Sequence, residues 1–182
     1  MVARTWQNRL AGAHLVAVLL PYVLVAFIPA ATIFGPHGAF QTLAYSLFVL
    51  SPVLFLTWLY AIYFTARRVV AARGGRLIDW SAVFVIPAIA CVVGSAGIWI
   101  GTLSTSGRPG LFPICSLGFF PAFFAAIWIT GATLERGVEA NKPVSIGWQF
   151  LNFVLFFYLL IGIWFLRPKI RAVCAADAAQ TP

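Results

Sequence analysis

The sequence predicts an all-α fold: a polytopic transmembrane helix bundle built from five hydrophobic segments. Apolar runs cover residues 10–35, 44–66, 80–103, 111–134 and 148–166. Crossing a hydrocarbon core of ~30 Å takes roughly twenty helical residues, a length each run approaches or exceeds. The chain is 62% hydrophobic and only 9% charged, with a mean hydropathy of +0.97. A soluble domain carries roughly a quarter charged residues, so this surface is too poor in charge for water. The runs are also continuous, without the dyad alternation of a transmembrane barrel. Helices then remain as the structure that satisfies its own backbone in lipid.

Five spans and short loops nearly use up the 182 residues, giving a single integral membrane domain, 1–182. No separate soluble catalytic domain fits, so function rests on the spans, their loops or a partner.

Arg4 and Arg9 precede the first segment, 10–35, which is longer than a signal-peptide core of ~7–15 residues. It reads as a retained signal anchor and first span. Loop 36–43 has no Lys or Arg, whereas Arg67, Arg68, Arg73 and Arg76 fill the loop expected after the second segment. Basic residues stay on the cytoplasmic side, which places the N-terminus and that arginine loop inside. Orientation accounts for the net charge of +8 without nucleic acid, since no aromatic or folded platform accompanies the arginines. The same cluster is expected to contact anionic lipid headgroups or an acidic partner.

In the third segment, 80–103, Ala90, Gly94, Gly97 and Gly101 put small residues near one helical face. Small side chains let two backbones approach in lipid, so this is the expected helix-packing face. The fourth segment, 111–134, carries Pro113 and Pro121 near Gly118. Proline removes a donor and disrupts the preceding turn, which would suit a re-entrant segment. Its uncharged, aromatic-rich length favours a full span. Five spans are expected, with four spans plus a re-entrant fourth segment as the alternative. Five spans would put Arg108, Arg167, Lys169 and Arg171 outside, whereas the alternative returns the C-terminus to the cytoplasm; charge bias barely separates them.

Trp148 opens the fifth segment, 148–166, and Trp164 closes it, at depths that suit interfacial rings. Gln149 and Asn152 share its entry-turn face and are the candidate polar contacts, read first as an interhelical hydrogen bond. A binding role would need convergent groups from other spans, of which Tyr60, Tyr63 and Ser95 are available.

Catalytic, cofactor-binding and metal-binding residues are not expected. His14 and His37 stand at opposite ends of the first segment, too far apart for a shared haem. Cys91, Cys115 and Cys174 have no C-x-x-C spacing. Asp79, Glu135 and Glu139 lie near Arg76, Arg136 and Lys142 in sequence, so solvated ion pairs are expected among them. Prolines at 21, 29, 52, 87 and 121 free carbonyls one turn earlier, usually to bend helices and in transporters to bind solute.

The reading is therefore a non-enzymatic multi-spanning protein acting through helix packing and partner binding. It would be an accessory, assembly or immunity-type subunit, with a membrane-protein partner or a second copy of itself. A small oligomeric transporter or channel using proline-broken helices is the alternative. Arg- and Ala-rich, Lys-poor composition points to a bacterial inner membrane.

Overall fold

The structure, a computed structural model, describes residues 10–11, 39–103, 112–139, 145–157 and 159–180. Among them are five helices and no strand: α1 (Ala39–Ala72), α2 (Ser81–Leu103), α3 (Phe112–Val138), α4 (Ile146–Phe157) and α5 (Leu159–Gln180). Residues 12–35 of the first segment, His14, His37, Arg4, Arg9, Arg108 and Lys142 lie outside the described residues. So do the side-chain surroundings of Gly94, Gly97 and Gly101.

α1 runs past its expected apolar end because Arg67 to Ala72 still form a good helical turn, with Val69 and Val70 buried. Arg67 and Arg68 therefore stand on a helix, not in a loop. What stops it is the Gly74–Gly75 pair. Gly74 takes φ +81, its N–H donates to Ala71 O at 2.9 Å, and Gly75 N–H donates to Val70 O at 2.9 Å. These two bonds form a Schellman C-cap, which needs a left-handed residue where glycine has no Cβ penalty. Gly75 is needed for space, since a Cβ there would meet Val70 Cγ1 at 2.5 Å.

Among the described residues, Pro52–Ala72 is the one helical stretch long and apolar enough to cross a membrane, and 61% of it is buried inside the molecule. α2 and α3 pass through Pro87 and Pro121 without ending, so the fourth segment is one continuous helix.

The fifth segment departs from expectation. Instead of one helix it forms two, α4 and α5, and the chain reverses between them. A Cβ on Gly162 would collide with the backbone carbonyl of Leu155, an approach impossible along one helix, where seven residues span about 10 Å. Lys169 likewise returns to Trp148, with its ammonium 5.1 Å from the ring centroid. Both pairs are centred on the same point of the sequence, between 158 and 159, as a hairpin requires. α4 is 12 residues long, about 18 Å, so the hairpin dips only part-way along the bundle.

The core lies between α1 and the later helices. Leu56, Leu59, Ile62, Tyr63, Ala66 and Val69 give α1 a buried face at helical spacing, against Ile127 and Leu134 of α3, Phe156 of α4 and Leu166, Ile170 and Val173 of α5. Trp58 meets Phe156 edge-on at 6.0 Å, and Tyr63 meets Phe84 of α2 at 5.1 Å. Ala11 of the first segment joins the same cluster. Three helices converge on Gly137, where an added Cβ would lie 3.1 Å from Val173 Cγ2 and 3.4 Å from Ala66 Cβ. On the outside, Val85, Ile86, Ile89, Val92 and Val93 leave α2 with an exposed apolar stripe.

Candidate functional site

The ion pairs of the described chain gather at one end of the bundle. Arg67 Nη1 at the end of α1 pairs with Asp79 Oδ2 ahead of α2 at 2.8 Å. Arg68 Nε reaches Asp177 Oδ1 of α5 at 3.3 Å. Arg73 Nη1 donates to the Gly137 carbonyl at 2.8 Å, capping the last turn of α3 with a cation where the helix dipole favours one. The end of α1, the start of α2, the end of α3 and the outgoing half of α5 thus share this arginine end.

Its most buried feature joins three helices. Glu135 of α3 and Asn152 of α4 are 9% and 0% exposed. Glu135 Oε2 accepts from Lys169 Nζ of α5 at 2.7 Å and from Asn152 Nδ2 at 2.8 Å. Asn152 Oδ1 accepts from the same ammonium at 3.1 Å, and its Nδ2 also reaches Gly131 O at 3.4 Å. The Trp148 ring lies against the ammonium and supplies a further cation–π contact. Gly131 makes the approach possible, because a Cβ there would come within 3.1 Å of Asn152 Cβ. The ammonium thus faces a carboxylate, an amide oxygen and a π-face, and both ends of the amide are bonded. Chemically the cluster is a lock, since breaking one member leaves a charge or amide without its partner.

At the loop, Tyr63 Oη donates to Ile78 O at 3.3 Å and accepts from Trp80 N–H at 2.9 Å, tying the entry of α2 to α1. Asp79 Oδ1 accepts from Ser81 N–H at 3.0 Å and from the Ser81 hydroxyl. The Ser81 hydroxyl first, then its N–H and the Arg67 guanidinium, hold the Asp79 carboxyl down at about 2.

Several sequence expectations are redrawn. Glu135 pairs with Lys169 and Asp79 with Arg67, rather than with the sequence neighbours Arg136 and Arg76. Arg67, Arg68 and Arg73 make contacts within the chain, while Arg76 is exposed. Asn152 is central to the cluster, whereas Gln149 is half-buried one turn earlier. Tyr63 stays in the buried face of α1 and turns its hydroxyl to the loop backbone, and Tyr60 packs edge-on against Phe84 at 5.6 Å. Ala90 is half-buried on α2, and the surroundings of Ser95 fall outside the described residues.

Lys169 and Asp177 were missed as site residues. A signal for Asp177 exists: Leu166, Ile170, Val173 and Asp177 recur at helical spacing, the stripe that α5 buries. Among the described residues, no three of His, Cys, Asp and Glu come together as metal ligands. No known protein family, curated protein or solved structure matches the chain.

Proposed function

We propose that this chain is a non-enzymatic, multi-spanning membrane protein that acts through helix packing and partner binding, as an accessory, assembly or immunity-type subunit. The observation that carries this reading is the self-satisfied triad of Glu135, Asn152 and Lys169. Glu135, Asn152 and Lys169 are spent on one another and hold the hairpin shut, leaving the apolar outer surface for recognition. Val85, Ile86, Ile89, Val92 and Val93 would meet lipid or another membrane helix. The partner is another membrane protein or a second copy of the chain.

Charge supports an arrangement of four crossings plus a re-entrant hairpin formed by α4 and α5. With the first segment crossing, both termini and the arginine end face one side. All of the 12 Lys and Arg except Arg108 then share that side. This bias is far stronger than five spans would give, and it favours a cytoplasmic arginine end. Asn152, Phe156, Leu166 and Ile170 bury the hairpin's inner face against the bundle, in keeping with a re-entrant element packed on protein. Composition supports a bacterial inner membrane.

The alternative is a small oligomeric transporter or channel, and the hairpin is the observation in its favour, since such elements line solute paths. The proline-containing helices α1, α2 and α3 run on unbroken, which weighs against it. Affinity purification of the full chain in mild detergent tests the choice. A stoichiometric membrane-protein partner, or a homo-oligomer free of solute, supports the packing role. A homo-oligomer carrying bound solute, with solute flux in proteoliposomes, would overturn it.

A further inference from the structure

We propose that the arginine end is an anionic phospholipid site, with Arg76, Arg136 and Arg171 as headgroup ligands and Ile78, Trp80, Ile146 and Trp148 as the collar that seats them at the interface. The proposal rests on the membrane reading above and names the lipid class that this end takes.

The argument begins with a charge imbalance. The chain has 4 acidic residues, and all of them, Asp79, Glu135, Glu139 and Asp177, stand on elements that meet here. Asp79, Asp177 and Glu135 are engaged by Arg67, Arg68 and Lys169. The remaining carboxylate, Glu139, has an interaction within the chain as well, while Arg76, Arg136 and Arg171 are exposed. These three exposed guanidiniums are thus an excess of positive charge that an anion from outside the chain can meet. Guanidinium offers paired donors that match phosphate oxygens.

The collar decides which anion. Ile78 is 71% and Ile146 76% exposed, beside exposed Trp80 and Trp148. They stand where α2 and α4 begin, on separate elements of the same charged end. Bulky aliphatic and indole groups interleaved with cations suit headgroup depth, where rings and stems meet the upper acyl chains. A soluble acidic protein would cover one patch; a leaflet covers every element that enters it. Phosphatidylglycerol has the required phosphate charge, whereas phosphatidylcholine offsets its own.

The test uses the full-length protein in mild detergent, with either phosphatidylglycerol or phosphatidylcholine added. Native mass spectrometry and thermal melts read lipid retention. Phosphatidylglycerol should be retained in preference, and each Arg→Gln change at 76, 136 or 171 should weaken its retention about fivefold. Inorganic phosphate at matched concentration should leave the melt unmoved. Equal retention of the two lipids by the wild type overturns the proposal without need of any variant. So does stabilisation by phosphate alone, which would make this a free-anion site. Preference for polyglutamate over phosphatidylglycerol would make it a protein-docking surface instead. Alkaline carbonate extraction of cell membranes separates the underlying reading: release of the chain would defeat membrane integration itself, whereas retention with no lipid preference defeats only the lipid site.

Discussion

Lys169 and Glu135 stand 34 residues apart in sequence, yet their ammonium and carboxylate meet at 2.7 Å and join α5 to α3. Their side chains are 23% and 12% exposed, so the pair is shielded from most of the solvent that weakens surface ion pairs. Lys169→Met leaves the carboxylate buried with only Asn152 as partner. The expected loss is about 3 kcal/mol, the low end for a broken buried pair, because some solvent still reaches the site. Adding Glu135→Gln removes the stranded charge and keeps an acceptor for Asn152. The double variant should therefore melt above the Lys169→Met single variant in detergent. Equal melting points would mean that the pair does not hold the hairpin.

Gly162 should tolerate no side chain. Its Cβ would run into the Leu155 backbone, which cannot rotate aside, so Gly162→Ala must open the hairpin turn. Overpacking of this kind costs about 1–3 kcal/mol. Gly147→Ala is the control, since its nearest neighbour would be Ser145 Oγ at an ordinary 3.5 Å. A melt in which the two variants fall together would place Gly162 outside any tight turn.

Thr65 offers a stabilising change. The hydroxyls of Thr57, Thr130 and Thr133 each donate to the carbonyl four residues earlier, at 2.7, 2.8 and 2.7 Å. Thr65 Oγ1 is buried and makes no hydrogen bond. Thr65→Val keeps the branched shape and removes the unsatisfied group, so the melting point should rise, by about 1 kcal/mol of stability. Thr130→Val, which also removes a hydroxyl but one already bonded, should gain less.

Much of the helical content was legible in the sequence because uncharged runs at these lengths leave few alternatives. The ends of α2 and α3 fall near the edges of their runs for the same reason. The end of α1 was legible too, in Gly74–Gly75, although hydropathy drew the eye to Ala66 instead. The hairpin was not. Residues 148–166 are apolar throughout, and hydropathy does not distinguish one crossing from two short helices folded on each other. The reversal depends on Gly162 approaching Leu155 and on Lys169 finding Glu135, both tertiary contacts. Asn152 stood out as an amide in an apolar run, but its carboxylate partner lies on another helix. Periodicity within α4 carries no information about it.

Asp79 should make stability depend on acid in a narrow window. Its folded-state value, about 2, lies below the ordinary 3.8. A lowered carboxylate contributes stability that is fully present above its unfolded value and lost as pH falls through the folded one. The melting-point gap between wild type and Asp79→Asn should therefore hold steady above about pH 4 and narrow towards pH 2. Hydrogen exchange in the first turn of α2 should follow the same course, because Ser81 N–H loses its acceptor. A gap that ignores pH over this range would remove the capping role.

The arrangement of the C-terminus gives the sharpest contrast between sequence and fold. A fifth span places residue 182 opposite the arginine end, whereas the structure ties α5 back to the last turns of α1 through Arg68 and Asp177. Reporter fusions after Gly74 and after Pro182 should therefore read the same side, and a fusion at residues 104–111 the opposite one. Under the proposed membrane reading, the positive-inside bias would make the shared side cytoplasmic, since Arg167, Lys169 and Arg171 would then join the other basic residues there. Asp177→Lys should leave this topology unchanged, because the hairpin is set by the Gly162 turn and the Glu135 pair. It should nevertheless loosen the C-terminal turns of α5, as two cations at 68 and 177 repel, and raise protease cleavage near residue 177. Opposite signs from the Gly74 and Pro182 fusions would mean that residues 148–166 cross the bilayer once, and the re-entrant hairpin would be lost with that result.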